Sequence, residues 1–307
     1  MCTTVQDESL RGDCVSLFKM AWRNVWRNRR RTIVTVAAMT LALWVMILYT
    51  GLVEGYLAGM ERNILNLELG DVQVFALDFR DNPSLYTRIR DPESLLERIE
   101  DLGFRVCARL MGGGLAAAGE SSAGVSFRGV STKRDAGVSD IHRHVALGDW
   151  LVRERPKEVV IGRRLARTLG VEPGDELVAL SQAADGSIAN DLYRIRGVLK
   201  GISDATDRTG VFMTVEAFRD FFAMQGGAHQ LIIRRPKDMD IEEAAEAIRH
   251  VAAGLDVKSW RELMPTIASM LDSVRGLMIV VFFIIYIAIG ILILNAMLMA
   301  VFERIRE

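Results

Sequence analysis

Two uninterrupted apolar runs stand near opposite ends of the chain. Thr32 to Val53 holds 22 residues without a charge, and Leu277 to Phe302 holds 26. At about 1.5 Å per residue, each run covers the roughly 30 Å hydrocarbon core of a bilayer. The pattern predicts transmembrane helices over 32–53 and 277–302. Residues 54–276 between them have the mixed pattern of a water-facing domain.

Within that middle region the polar and apolar positions change period several times. Leu52 to Leu69 lacks a breaker beyond Gly55 and Gly59, so the first helix continues outward until Gly70 and Asp71 stop it. Asp71 to Leu77 reads as a strand, Asp91-Pro92-Glu93 opens a helix closed by Gly103, and 104–110 and 124–131 read as strands. Val159 to Leu180 gives a buried strand, a short helix ending at Gly170, a Pro173-Gly174-Asp175 turn and another strand. Asp185-Gly186 marks a hairpin tip, and Tyr193 to Leu199 returns as its second strand. Asp240 with Glu243 reads as a capping box for a helix to about Ala253. A strand ending at Trp260 follows, and Arg261 to Arg275 leads in helical pattern, without a break, into the second run. Strands and helices mixed in this order indicate an α+β domain of one or two lobes between two membrane helices.

Charge then orients the chain. Lys19, Arg23, Arg27, Arg29, Arg30 and Arg31 crowd the N-terminal side of the first run, while Glu54 and Glu61 follow it. Retention of positive charge on the cytoplasmic side places residues 1–31 and 303–307 inside and the large domain outside. The apolar run exceeds the h-region of a cleaved signal peptide and has a long polar lead, so it reads as an anchor. Phe18, Trp22, Val25 and Trp26 recur at helical spacing opposite Lys19, Arg23 and Arg27. That is the pattern of a basic amphipathic neck lying in the headgroup plane, and Phe18, Trp22, Arg23, Trp26 and Arg27 are its expected membrane contacts. Cys2 and Cys14 fall on the cytoplasmic side and Cys107 is alone outside, so the domain must rest on its core rather than on a disulfide.

Candidate chemistry is sparse. Asp140, His142 and His144 could ligate zinc, but without further ligands the segment reads as a solvated loop. Asp204 and Asp207 lack the spacing of a calcium loop and read as a polar turn. Gly112-Gly113-Gly114 reads as flexible chain without the context of a phosphate loop, and no Gly-Lys pair occurs anywhere. We assign no catalytic, cofactor-binding or metal-ligating residue, and expect a non-enzymatic chain without nucleic-acid partners.

Several segments together carry a family resemblance. The neck MAWRNVWRNRRRT, then LGDVQVF, VVIGRRLARTLGVEPGDELVAL, YRIRGVLKGISDATD, VKSWRELMP and the closing VFERIRE resemble FtsX/MacB-type ABC transporter permeases, particularly the lipoprotein-releasing LolC/LolE-like branch. The resemblance implies a MacB-like periplasmic core domain in the inner (plasma) membrane, and mechanotransmission driven by a separate ATP-binding cassette subunit. It also implies a second permease copy or paralogue and a lipoprotein or other envelope client. Glu303, Arg304, Arg306 and Glu307 would begin the ATPase-coupling segment. Such permeases have four spans, so the chain is expected to correspond to the N-terminal half of one. Two other functions remain open at this point: an FtsX-like regulator of a cell-wall hydrolase, and a two-span ligand sensor. The sensor would require a cytoplasmic output domain beyond Phe302.

Overall fold

The computed structural model describes residues 29–305. Two long helices, α1 (Arg29–Ile64) and α9 (Pro265–Ile305), bracket everything else. Between them run, in order, a π-helical turn (Leu65–Leu69), β1 (Val72–Phe75), α2 (Pro92–Asp101), β2 (Arg105–Ala118), β3 (Ser121–Val130), α3 (Asp135–Val138), a 3-10 turn (Ile141–Arg143) and β4 (Val145–Gly148). β5 (Glu158–Ile161), α4 (Arg163–Leu169), β6 (Glu176–Gln182), β7 (Ile188–Leu199), α5 (Asp204–Thr209) and β8 (Gly210–Thr214) follow. The domain ends with α6 (Val215–Phe221), β9 (Gln230–Arg234), α7 (Ile241–Val251), β10 (Asp256–Ser259) and α8 (Trp260–Leu263). The expected α+β domain between two long helices is therefore what the chain builds.

Contacts divide the chain into a unit of residues 59–268 and a second unit holding most of the two long helices. In the second unit Ile33, Trp44, Leu48, Phe283, Ile291 and Met297 are exposed. Both helices are long and apolar enough to cross a membrane. A continuous apolar surface of this kind suits lipid rather than water.

All ten strands of the 59–268 unit belong to one sheet. Its first part has the order β10-β1-β9-β2 with antiparallel neighbours throughout, and α2 and α7 connect β1 to β2 and β9 to β10. This is a split βαβ arrangement, ferredoxin-like in its connections. The second part is inserted between β2 and β9. There β2 pairs with β3, β3 with β8, β8 with β5, β5 with β7, β7 with β6, and β6 again with β2, which closes a six-stranded ring. β4 adds to the outside of β7. β2 serves both parts: Arg105–Arg109 pair with β9, and Leu115–Ala117 pair with β6.

The core follows the two-residue period of the strands. Val159, Ile161, Val211 and Met213 belong to the main cluster, while Val160 and Phe212 between them belong to a second cluster with Ile141, Leu151 and Leu199. Being buried on both faces is why VVI and VFM read as unbroken apolar runs.

Four expectations need correction. Gly112-Gly113-Gly114 is ordered strand in β2, because a Cβ on Gly114 would lie 2.4 Å from the Leu180 carbonyl oxygen and one on Gly112 2.6 Å from the Phe222 ring. Small residues here admit close packing. Asp204 and Asp207 lie in helix α5, whose first turn is capped by the Ser203 hydroxyl accepting from Thr206 N–H. The Asp240 carboxylate caps α7 by accepting from Glu242 N–H, and the reciprocal capping box belongs instead to Ser259 and Glu262 at α8. Finally, the helical run from Arg261 is broken. α8 ends at Leu263, and Met264 (φ −126°, ψ 64°) leaves helical space because the Pro265 ring excludes that conformation for its predecessor. Pro265 then starts α9, where its missing N–H costs nothing.

The glycine contacts set up a paired test. Gly114→Ala should lower stability by about 1–3 kcal/mol through overpacking against β6. Gly113→Ala meets open space and should lose nothing. Urea unfolding of the two variants measures the difference, and equal losses would refute close packing as the reason for Gly114.

Candidate functional site

The chain leaves α1 through a turn whose end lies inside the 59–268 unit. The last carbonyls of a helix lack intrahelical donors and need partners elsewhere. Here all five carbonyls of the π turn receive one. Leu65 O accepts from Gly70 N–H (2.9 Å), Asn66 O from Asp140 N–H (2.7 Å) and Leu67 O from the Ser139 hydroxyl (2.9 Å). Glu68 O accepts from Arg109 Nη1 (3.3 Å) and Leu69 O from Gln73 Nε2 (2.8 Å). Gly70 follows at φ +65°, where a Cβ would meet Ile232 and the Ile233 carbonyl at under 3 Å, so glycine is required at this exit.

Side chains complete the clamp. The Glu68 carboxylate accepts from Arg128 Nη1 (2.7 Å), from the Ser203 hydroxyl (2.9 Å) and from Thr206 Oγ1. Burial alone would raise its pKa, but the Arg128 charge and these three donors outweigh burial and hold it below the usual carboxylate range. Beneath it, Arg109 and Asp135 form a forked pair, Nη2 to Oδ1 at 2.7 Å and Nε to Oδ2 at 3.3 Å, with both side chains almost wholly buried. Burial disfavours the Arg109 charge, yet Asp135 more than compensates and the guanidinium is held still more firmly protonated. Cys107 lies against Asp135; burial first, then that carboxylate, push the thiol well up, so it is no nucleophile.

Asp71 ties this exit to the entry into the last helix. Its N–H donates to Ile233 O (2.8 Å), its carboxylate accepts from Arg235 N–H (3.0 Å), and its carbonyl accepts from Trp260 N–H (3.0 Å). Trp260 is buried at the start of α8. The chain leaving the first helix and the chain approaching α9 thus meet at one residue.

A second polar element sits where β2 parts from β9 and has not yet met β6. His229 Nδ1 accepts from Met111 N–H at 2.9 Å, a side chain standing in for the absent backbone acceptor. The ring is fully buried, stacked on Phe79 at 5.3 Å, with Nε2 facing Leu85 O at 3.4 Å. Burial is the main cause that pushes its pKa down to about 4.

Of the residues singled out from sequence, Phe18, Trp22, Arg23, Trp26 and Arg27 lie outside the described residues, as do Arg306 and Glu307. Glu303 and Arg304 fall in the last turn of α9. Asp140 contributes its backbone N–H to the clamp, whereas His142 and His144 each face a local carbonyl, Ser139 O and Asp140 O, at 3.0 Å. Among the described residues no cluster of His, Cys, Asp and Glu could hold a metal. Glu68, Arg109, Arg128 and Asp135 were missed. The signal for two of them was a lone charge inside apolar sequence, Glu68 in LNLEL and Arg109 in VCARL. Chemically, this constellation holds a helix end.

Two measurements test the clamp. Asp135→Asn leaves the Arg109 charge uncompensated and should cost about 3–5 kcal/mol in urea unfolding, while Arg109→Met with Asp135→Leu should cost less. A near-neutral Asp135→Asn would refute the pair's role. For His229, the native ring stays neutral while the unfolded chain takes up a proton below about pH 6.5. Stability should therefore fall as pH drops from about 6.5 towards 4, by up to about 3 kcal/mol, and His229→Gln should lack this component. Parallel pH profiles for both proteins would contradict that assignment.

Residues 32–251 match the model of the MacB-like periplasmic core domain. No curated protein matches the chain. Among solved structures, the extracellular domain of the noncanonic ABC-type transporter YknZ from Gram-positive bacteria aligns at 14% identity and a TM-score of 0.43, covering 62% of this chain and 98% of that one. The periplasmic region of MacB from Actinobacillus actinomycetemcomitans aligns at 11% identity and 0.46, covering 65% and 94%. A domain of a putative permease protein from Porphyromonas gingivalis aligns at 13% and 0.38, covering 61% and 84%.

Proposed function

The chain belongs to the MacB-like periplasmic core domain family, and on that footing we propose that it is the permease subunit of an ABC-type transporter, with ATP hydrolysed by a separate subunit. The observation that carries this reading is a family domain bracketed by two helices long and apolar enough to cross a membrane. In the proposed arrangement residues 1–31 form a cytoplasmic neck, 32–53 and 277–302 cross the inner (plasma) membrane, 54–276 lie outside, and 303–307 begin the cytoplasmic coupling segment. Both termini are cytoplasmic, and the neck residues Phe18, Trp22, Arg23, Trp26 and Arg27 rest on the lipid surface.

The proposed mechanism is mechanical. ATP-driven movement of the cytoplasmic ends reaches the outer domain through α1 and α9. Transmission of that kind needs helix ends anchored in the outer domain, and the filled carbonyls of Leu65–Leu69, the buried Arg109–Asp135 pair and the Asp71 node, all within residues 59–268, support this reading. The client we propose is a lipoprotein or related envelope molecule, as in the LolC/LolE-like branch, handled together with a second permease copy or paralogue.

Reversing Arg304 and Arg306 to Glu should reduce co-purification of the ATP-binding subunit by about tenfold or more, with membrane insertion intact. Unchanged recovery would remove the coupling role of these residues. Failure of the unmodified chain to recruit any ATP-binding subunit in its native membrane would refute the transporter reading.

A further inference from the structure

A pocket of about 280 Å³ opens between α2, the β3–α3 connection and α6, apart from the clamp. Four cations line it, Lys133, Arg134, Arg153 and Arg219, against two acids, Glu93 and Glu216. The acids are already engaged. Arg134 pairs with Glu93 at 3.0 Å and with Glu100 at 3.6 Å, and Arg153 pairs with Glu216 at 3.1 Å. Among the described residues Lys133 and Arg219 have no ion pair. Arg219 is half-buried, and its Nε–H is sequestered from solvent with no hydrogen-bond acceptor.

The buried Nε–H is closed to a ligand in the cavity, so recognition falls to the two terminal Nη groups of the Arg219 fork. Leu96 and Leu110, both buried, supply part of its apolar lining. The planar guanidinium fork of half-buried Arg219 and the ammonium of exposed Lys133 line one small cavity, and such groups recognise an oxyanion. We propose that this pocket binds a phosphate-type dianion, its two charges matched to Arg219 and Lys133. Its size admits a phosphate with a small substituent and excludes a polymer. Free phosphate and the phosphomonoester headgroup of a lipid share this chemistry.

The test uses the full chain in detergent micelles and isothermal titration with two probes, inorganic phosphate and dihexanoyl phosphatidic acid. Saturable binding of phosphate identifies the free anion, and saturable binding of the lipid alone identifies the headgroup. In either case Arg219→Gln should weaken binding about tenfold or more, Lys133→Gln should weaken it less, and Arg219→Lys should fall between wild type and Arg219→Gln. Without ligand, Arg219→Gln should keep or raise the melting temperature, since the guanidinium has no protein partner to lose. No saturable binding of either probe overturns the proposal. So does binding indifferent to both Arg219→Gln and Lys133→Gln, or a drop in the ligand-free melting temperature that marks Arg219 as a structural residue.

Discussion

A helix that ends inside a folded domain must hand its last carbonyl oxygens to other donors, and the architecture of this protein is arranged around that requirement. The five acceptors of Leu65–Leu69 draw donors from β1, β2, the connection between α3 and the 3-10 turn, and Gly70 just after the π turn. One of those donors is a buried arginine, and a buried arginine needs a buried carboxylate, so Asp135 follows from Arg109. Glu68 repeats the logic at the side-chain level, drawing Arg128 from β3 and the capping residue Ser203 from the start of α5. The polar interior is thus a chain of obligations that begins at the helix end.

The sheet explains how residues so distant in sequence converge. β2 is long enough to serve as an edge of the split βαβ part and as a stave of the closed ring, with Arg109 at the changeover. His229 lies beside the same changeover, satisfying Met111 N–H where the ladder has no strand to offer. Closing the ring also removes the free edges that an inserted sheet would expose.

Much of this was legible in the chain itself. The two long helices, the β5–α4–β6 unit, the hairpin at Asp185-Gly186 and the Pro92 and Gly170 helix ends all rest on local chemistry, and local chemistry is what a sequence records. The failures were of two kinds. Some were local signals given too little weight: Pro265 should have broken the run from Arg261, and Ser259-Trp260-Arg261-Glu262 is a better capping box than Asp240 with Glu243. Others depended on distant partners. Nothing near Gly112-Gly113-Gly114 announces that the Phe222 ring and the Leu180 carbonyl will press against it, so a strand looked like flexible chain. The clamp belongs to the second kind. A lone Glu68 or Arg109 in apolar sequence signals a buried charge, but its partner is fixed only by the tertiary fold.

The insertion of the ring between β2 and β9 has a consequence for the order in which the chain can fold. Hairpins β2–β3 and β6–β7 join neighbours in sequence and can form early. β9 pairs with β1 and β2 only after the whole intervening ring has been made, with Gln230 meeting Arg109. Loop-closure entropy for that pairing is reduced when the ring has already compacted the intervening chain. A ring that closed first would lower the entropic cost of completing the sheet around it. β1, produced early with its hydrogen-bonding edges open, must wait for a strand made near the end, and this interval is where the nascent domain is most exposed to mispairing.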